Sequence, residues 1–315
     1  MKHNLKITIV LIIMFLITQF IGLVVLHANP LKITAEVNGT AQEVSNPYLK
    51  WIDPPQPETK GDYAGIFSQI LIAFVVAIVL LFLLMKFKIE MFLRIWFFAV
   101  VAVALFLSFL AFIKIIPWFV LSMRTALIVS LVLAIPLAFI KIFKTNFLIH
   151  NLTEFLIYPG IAVVFVPLLN IYTMIVLLIL ISAYDMWAVW KSGVMQKMAK
   201  YQIKKLKIFS GFFVPYLTKK QKLELKKMKA AKSSKKKAMK VNVAILGGGD
   251  IIFPIITAGV MLKTFGLLSA VFVIIGAALG LAYLFFFAKK KKFYPAMPFI
   301  SAGIFMAMIL SWLIL

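Results

Sequence analysis

Ten carboxylates are available to this chain of 315 residues, and two of them, Asp185 and Asp250, stand inside long apolar runs. The other eight have ordinary settings. Glu36, Glu43, Asp53, Glu58 and Asp62 fall in the polar segment 28–63, Glu224 in a lysine-rich stretch, and Glu90 and Glu154 at the ends of apolar runs. An ionised side chain in hydrocarbon is expensive, so a carboxylate inside an apolar span is a functional candidate by default. A pair of carboxyls can divide acid and base roles in a hydrolysis, or can carry a proton or cation across a membrane. Both chemistries remain open at this level. With no cysteine there is no thiolate nucleophile or thiolate metal site, and His3, His27 and His150 lie too far apart to suggest a metal centre. No metal and no cofactor is expected.

The local sequence around Asp250 is unusual for a helix. Gly247-Gly248-Gly249 precede it, weakening the helix and letting another backbone approach. Pro254 follows four residues later, where its missing N–H leaves the Asp250 carbonyl without a helical partner. The backbone beside this carboxylate is thus open to water or to a substrate strand.

These residues must be positioned by membrane-spanning helices. The chain is 63% hydrophobic and 14% charged, with a mean hydropathy of +1.05, whereas soluble domains are about half apolar and about a quarter charged. Runs of about twenty apolar residues, enough to cross about 30 Å of hydrocarbon, predict nine helices. They are placed at 5–27, 64–85, 91–113, 118–140, 147–168, 170–190, 243–263, 266–288 and 296–315. Pro159-Gly160 interrupts the fifth, and only Pro167 to Asn170 separates it from the sixth. The first run is longer than a signal-peptide core and has a poor cleavage site, so it is read as a retained helix.

An all-α multi-pass protein of the cell membrane divides into residues 1–190 with six spans, a polybasic cytoplasmic loop at 191–242, and residues 243–315 with three spans. With the N-terminus cytoplasmic and the C-terminus outside, 28 of the 34 Lys and Arg residues fall on the inner side, as the positive-inside rule requires. The net charge of +24 then reads as topology and contact with anionic lipid, not as a nucleic-acid footprint. Within the loop, Tyr201 to Thr218 contains Phe209, Phe212, Phe213 and Tyr216 and is expected to lie at the membrane interface. In the outer segment, Pro54-Pro55-Gln56-Pro57 favours extended chain, and Asn38-Gly39-Thr40 is a glycosylation sequon. Gly276 and Gly280 form a G-x-x-x-G pattern read as packing within the bundle.

On this layout Asp185 lies six residues before Lys191 and Asp250 ten residues after Lys240, about 9 Å and about 15 Å from the cytoplasmic flank at 1.5 Å per residue. Helices six and seven run antiparallel, so the two carboxylates can meet at similar depth.

Tyr184-Asp185, Gly247-Gly248-Gly249-Asp250 and Pro295-Ala296-Met297-Pro298 resemble, in order, the YD, GxGD and PAL motifs of the presenilin and signal peptide peptidase family, and among its members a microbial, archaeal type. Met297 stands where the family has leucine, an apolar change of similar volume. The resemblance implies an intramembrane aspartyl protease with Asp185 and Asp250 as catalytic dyad. Tyr184, Gly247, Gly248, Gly249, Pro295, Ala296, Met297 and Pro298 would then lie at the substrate. Its partners would be transmembrane-segment substrates and membrane lipid, with no nucleic acid; self-association into a homo-oligomer is left open. The orientation matches presenilins and is opposite to that of signal peptide peptidases. Two alternatives stand beside it: a prepilin-type GxGD peptidase, against which the YD and PAL-like segments argue, and a proton- or cation-coupled transporter, which gives no reason for the PAL-like segment.

Overall fold

The computed structural model describes residues 5–37, 40–87, 90–116, 121–144, 146–192, 210–216, 242–288 and 294–314. Most of the polybasic loop, the greater part of the aromatic segment 201–218, Lys289 to Lys292 and the sequon residues Asn38 and Gly39 lie outside the described residues. Among the described residues, nine helices are long and apolar enough to cross a membrane. They are α1 (Leu5–Ala28), α2 (Lys60–Lys86), α3 (Glu90–Ile115), α4 (Met123–Phe143), α5 (Phe147–Phe165), α6 (Ile171–Trp187), α7 (Gly248–Phe265), α8 (Leu267–Phe287) and α9 (Met297–Ile314).

Helix boundaries follow local capping chemistry. Before α2, the Asp62 carboxylate accepts from the N–H groups of Glu58 (3.2 Å) and Thr59 (2.8 Å), which starts that helix at Lys60, four residues ahead of the expected position. Ser122 accepts from Thr125 N–H at 3.3 Å, so α4 begins at Met123 and not at 118. Asn170 and Thr173 form a reciprocal capping box at the start of α6, and a short 3-10 turn, Val166–Leu168, leads into it. These keep α5 and α6 separate despite the brief connection. Pro159-Gly160 does not break α5, which runs continuously through it. Gly160 serves a close crossing: a Cβ there would collide with the Ala104 carbonyl of α3.

The clearest departure from the sequence expectation is at the seventh span. Residues 243–247, expected to be helical, belong to a strand, Asn242–Gly247, and α7 starts only at Gly248. A short apolar run is ambiguous between helix and strand, and here a second strand, Gly211–Tyr216, decides the matter by pairing with it. Numbered along the chain, β1 (Lys32–Val37) and β2 (Thr40–Ser45) form an antiparallel hairpin, while β3 (Gly211–Tyr216) and β4 (Asn242–Gly247) form a second antiparallel pair with Gly211 opposite Gly247 and Tyr216 opposite Asn242. At its other end, α6 passes from α-helix into a π-helical turn, Ala188–Ser192, within the span expected to be plain helix.

Two apolar cores share α1 and α5. One joins them to α6, α7, α8, α9 and the β3–β4 pair, and the other joins them to α3 and α4. At the end away from β3–β4, the Lys114 ammonium at the close of α3 donates to the carbonyls of Ala28 (2.9 Å), Asn29 (3.1 Å) and Lys32 (2.7 Å). It thereby caps α1 and ties down the β1–β2 hairpin.

The α8–α9 pair is another close crossing. Gly276 and Gly303 face each other backbone to backbone, and Gly280 faces the Phe299 carbonyl, so the G-x-x-x-G pattern packs within the bundle. Gly276→Val forces a side chain into the Gly303 backbone and is expected to cost about 1–3 kcal/mol. Gly65→Val on α2, where nothing among the described residues lies within 4 Å of an added Cβ, serves as the control. Thermal midpoints of the two purified variants check this: the first should fall well below wild type and the second should stay close to it.

Candidate active site

Asp185 sits in the last turn of α6, buried, and its Oδ2 accepts a hydrogen bond from Met297 N–H at 3.1 Å. Met297 is the first residue of α9, where a helix leaves its leading N–H groups without internal partners and where the dipole favours an anion. Pro298 has no N–H to satisfy, so the Asp185 carboxylate meets the first amide of α9 that needs an acceptor. Ser182, one turn earlier on α6, donates to Ser301 of α9 at 2.9 Å. The YD and PAL-like segments are thus joined directly. Pro295 and Met297 are buried, and Ala296 and Pro298 are half-buried. The Ala296 carbonyl accepts from Phe299 (3.2 Å) and Ile300 (3.1 Å) as α9 begins.

Asp250 is the third residue of α7, half-buried, with its carboxylate folded back over Gly247, where a Cβ would lie 3.2 Å from Oδ2. The three glycines are not equivalent. A side chain at Gly248 would run into the hydroxyls of Ser210 (2.5 Å) and Tyr158 (2.9 Å), and Gly248 N–H donates to the Ser210 carbonyl at 3.2 Å. A side chain at Gly249 would meet, among the described residues, only Phe253, at 3.8 Å. The helix carrying Asp250 packs against both α6 and α9, so all three motifs gather at one end of one helix cluster.

Tyr184 has a different outlook from its neighbour. Its ring packs edge-on against Phe74 of α2 at 6.1 Å and beside Trp187 at 6.3 Å, facing α2.

Several contributors were not singled out from sequence. Gln19 of α1, almost fully buried, donates to the Ile251 carbonyl at 3.0 Å, next to Asp250 and within the turn that Pro254 loosens. A lone amide in the first apolar span was the available signal. Glu154 is a third deeply buried carboxylate, 1% exposed and paired with Lys141 at 2.6 Å. Its position near the end of an apolar run suggested a solvated residue. The signal there was the helical spacing of His150, Asn151, Glu154 and Tyr158. Among the described residues there is no cluster of three or more His, Asp or Glu able to hold a metal ion.

Among the described residues, nine helices able to span a membrane define a polytopic membrane protein, with Asp185 capping its proline-flanked last helix. Residues 53–315 match the signal-peptide peptidase, presenilin aspartyl protease family, and the chain belongs to that family: it is an intramembrane aspartyl protease, a multi-pass membrane protein acting on transmembrane substrates. Its fold is similar to that of a presenilin family intramembrane aspartate protease solved in space group C222, with a TM-score of 0.59 and 16% identity over 98% of this chain and 99% of that one. The same holds for a structure in space group P2, with a TM-score of 0.59 and 16% identity over 97% of each chain. No curated protein matches the chain in sequence.

Gln19→Leu removes the donor to Ile251 and also removes the buried Gln19 Oε1, which has no hydrogen-bond partner among the described residues. The two effects on stability oppose one another, so the thermal midpoint should change little. Cleavage of a transmembrane reporter should fall about tenfold, the equivalent of one hydrogen bond of about 1.4 kcal/mol in the transition state. A large loss of stability with the specific activity of the folded fraction unchanged would show that Gln19 serves packing alone.

Proposed function

We propose that Asp185 and Asp250 form the catalytic dyad and that the substrate strand lies between the Pro295–Pro298 segment and β4. The observation that carries this reading is the bond from Met297 N–H to Asp185: it fixes one carboxylate against the PAL-like segment while α7 brings Asp250 to the same end of the cluster. Two neighbouring carboxyls do not both ionise readily, so the pair holds one proton and titrates as a unit. The ionised member takes a proton from water as the water oxygen attacks the scissile carbonyl. The protonated member hydrogen-bonds the carbonyl oxygen as it gains charge, and a proton then passes to the leaving amine.

A transmembrane substrate is helical and must unwind before its carbonyl can be attacked, exposing peptide groups that need partners in the membrane. β4 answers this need. It is one strand of a two-stranded sheet, its chain runs straight into Gly248 and Asp250, and an added strand along its outer edge would carry the scissile bond toward the carboxylates. Gly247, closing β4, leaves the Asp250 carboxylate uncrowded. Pro295 and Pro298 prevent helix from extending back over the site. Tyr184 borders the cleft on the α2 side.

The charge distribution supports a cytoplasmic N-terminus and an outer C-terminus, with 1–190 as the first six spans, 191–242 as the basic cytoplasmic loop and 243–315 as the last three. Cleavage then falls near the cytoplasmic side. All three motifs come from one chain, so a homo-oligomer would contain one site per copy.

Asp185→Ala and Asp250→Ala should each abolish cleavage of a single-span reporter, and the double variant should be no worse than either, because the carboxyls act as a unit. Mass spectrometry of the products reads this directly; undiminished cleavage in either variant would remove the dyad. Orientation is open to a background-free test, since the chain has no cysteine. A single cysteine placed at Lys232 should react with an impermeant maleimide only after the cells are opened, and one at Thr40 should react in intact cells.

A further inference from the structure

The β3–β4 pair has two outer edges, and they are not alike. On the β3 side, the Asn151 side chain of α5 bonds to both backbone groups of Phe213: its Nδ2 donates to the Phe213 carbonyl at 2.8 Å and its Oδ1 accepts from Phe213 N–H at 3.0 Å. One turn surface away, His150 Nε2 lies 2.8 Å from the Gly211 carbonyl. A primary amide that both donates to and accepts from one residue reproduces what a neighbouring strand would offer. Pro215, next in the outward-facing series, has no N–H to satisfy. The outer edge of β3 is therefore already occupied by α5.

The same bonds fix the direction of every peptide group in the pair. In an antiparallel ladder, residues whose N–H and C=O face outward lie opposite partners that also face outward. Phe213 turns its groups toward Asn151, so Ile245 opposite it turns its own away from β3, as do Val243 and Gly247. These three residues make up the outer edge of β4, and Gly247 lies three residues before Asp250. Beneath the clamp lies a buried buttress: the Lys141 ammonium of α4 is 2.6 Å from Glu154 Oε1, and His150 Nε2 is 3.5 Å from the same oxygen. Tyr158, in the next turn of α5, is 2% exposed and reaches Ser210, whose carbonyl receives Gly248 N–H. One face of α5 thus holds β3 at Gly211 and Phe213, and holds the glycine turn at Gly248.

We infer that Asn151, with His150 beside it, is a positioning residue for cleavage: it closes the β3 edge and fixes the sheet, so that an unwound substrate adds to β4 in one register relative to Asp250. This rests on the proposed docking of substrate on β4. Register matters because a slip by one residue turns every side chain to the opposite face of a strand, and a slip in either direction presents a different bond to the carboxylates. Asn151 touches neither carboxylate, and its effect on the products passes through β3 and β4.

The test uses the full chain in lipid nanodiscs with a single-span reporter, reading product termini by mass spectrometry beside the rate. Asn151→Leu keeps the volume and removes both bonds to Phe213. The expected result is a rate about tenfold lower together with a broader set of termini, new cuts appearing one or two bonds from the wild-type site. A purely structural role would lower the yield of folded protein and leave the termini of the folded fraction unchanged. Unchanged termini, or complete loss of cleavage in a folded variant, would overturn the inference. If Asn151→Leu does not fold, the milder Asn151→Ser and His150→Gln carry the same readout and the same criterion. Asp185→Ala and Asp250→Ala are run alongside: persistence of cleavage there would sink the dyad, whereas loss there with unaltered termini in the Asn151 variants would sink only the positioning role.

Discussion

A peptide group that enters hydrocarbon without a hydrogen-bond partner costs several kcal/mol, and the proposed catalytic end of this bundle is organised around that cost. A spanning helix satisfies its own backbone except at its ends and at proline. This site is made of helix ends and prolines. Two of these ends are met by specific groups: the first N–H of α9 by Asp185, and Gly248 N–H by the carbonyl of Ser210. The strand leading to α7 is paired with β3, and β3 in turn is held by Asn151 and His150.

The same constraint joins stability to catalysis at Asp185. A carboxylate that accepts from the amide at the start of a helix is held in one orientation and stabilised by the aligned peptide dipoles. The residue proposed as half of the acid–base pair is thus also the cap of α9. The PAL-like segment acquires a physical role from this. Pro295 keeps helix from forming ahead of Met297, Pro298 supplies no competing N–H, and between them stands the amide that Asp185 accepts.

Much of this was legible in the sequence because it depends on one-dimensional properties. The length of apolar runs marks the spans, and a charged residue within one stands out, so Asp185 and Asp250 were visible from residue type alone. Partnership across the fold was not. Val243 to Leu246 is an apolar run that suits helix or strand, and only a partner thirty residues earlier, Phe212 to Val214, makes it a strand. Gly248 reads as helix-weakening, yet its necessity lies in Tyr158, ninety residues away. Glu154 reads as an interfacial acid until Lys141, on another helix, is found beside it.

That ion pair is a poor source of stability. Removing a Lys and a Glu from water costs several kcal/mol per ion, and their attraction repays this only with excellent geometry, so apolar residues of similar size would pack α4 against α5 at least as well. What they could not do is provide a polar face. Glu154 has His150 one turn before it and Tyr158 one turn after it, and these two side chains reach Gly211 and Ser210 on the chain that leads into β3. An apolar α5 would offer those backbone and hydroxyl groups nothing to bind, and β3 would lose the partners that hold its outer edge. The charge of Lys141 is what lets a carboxylate remain at that depth, and the carboxylate is what lets α5 present a polar stripe beneath the β3–β4 pair.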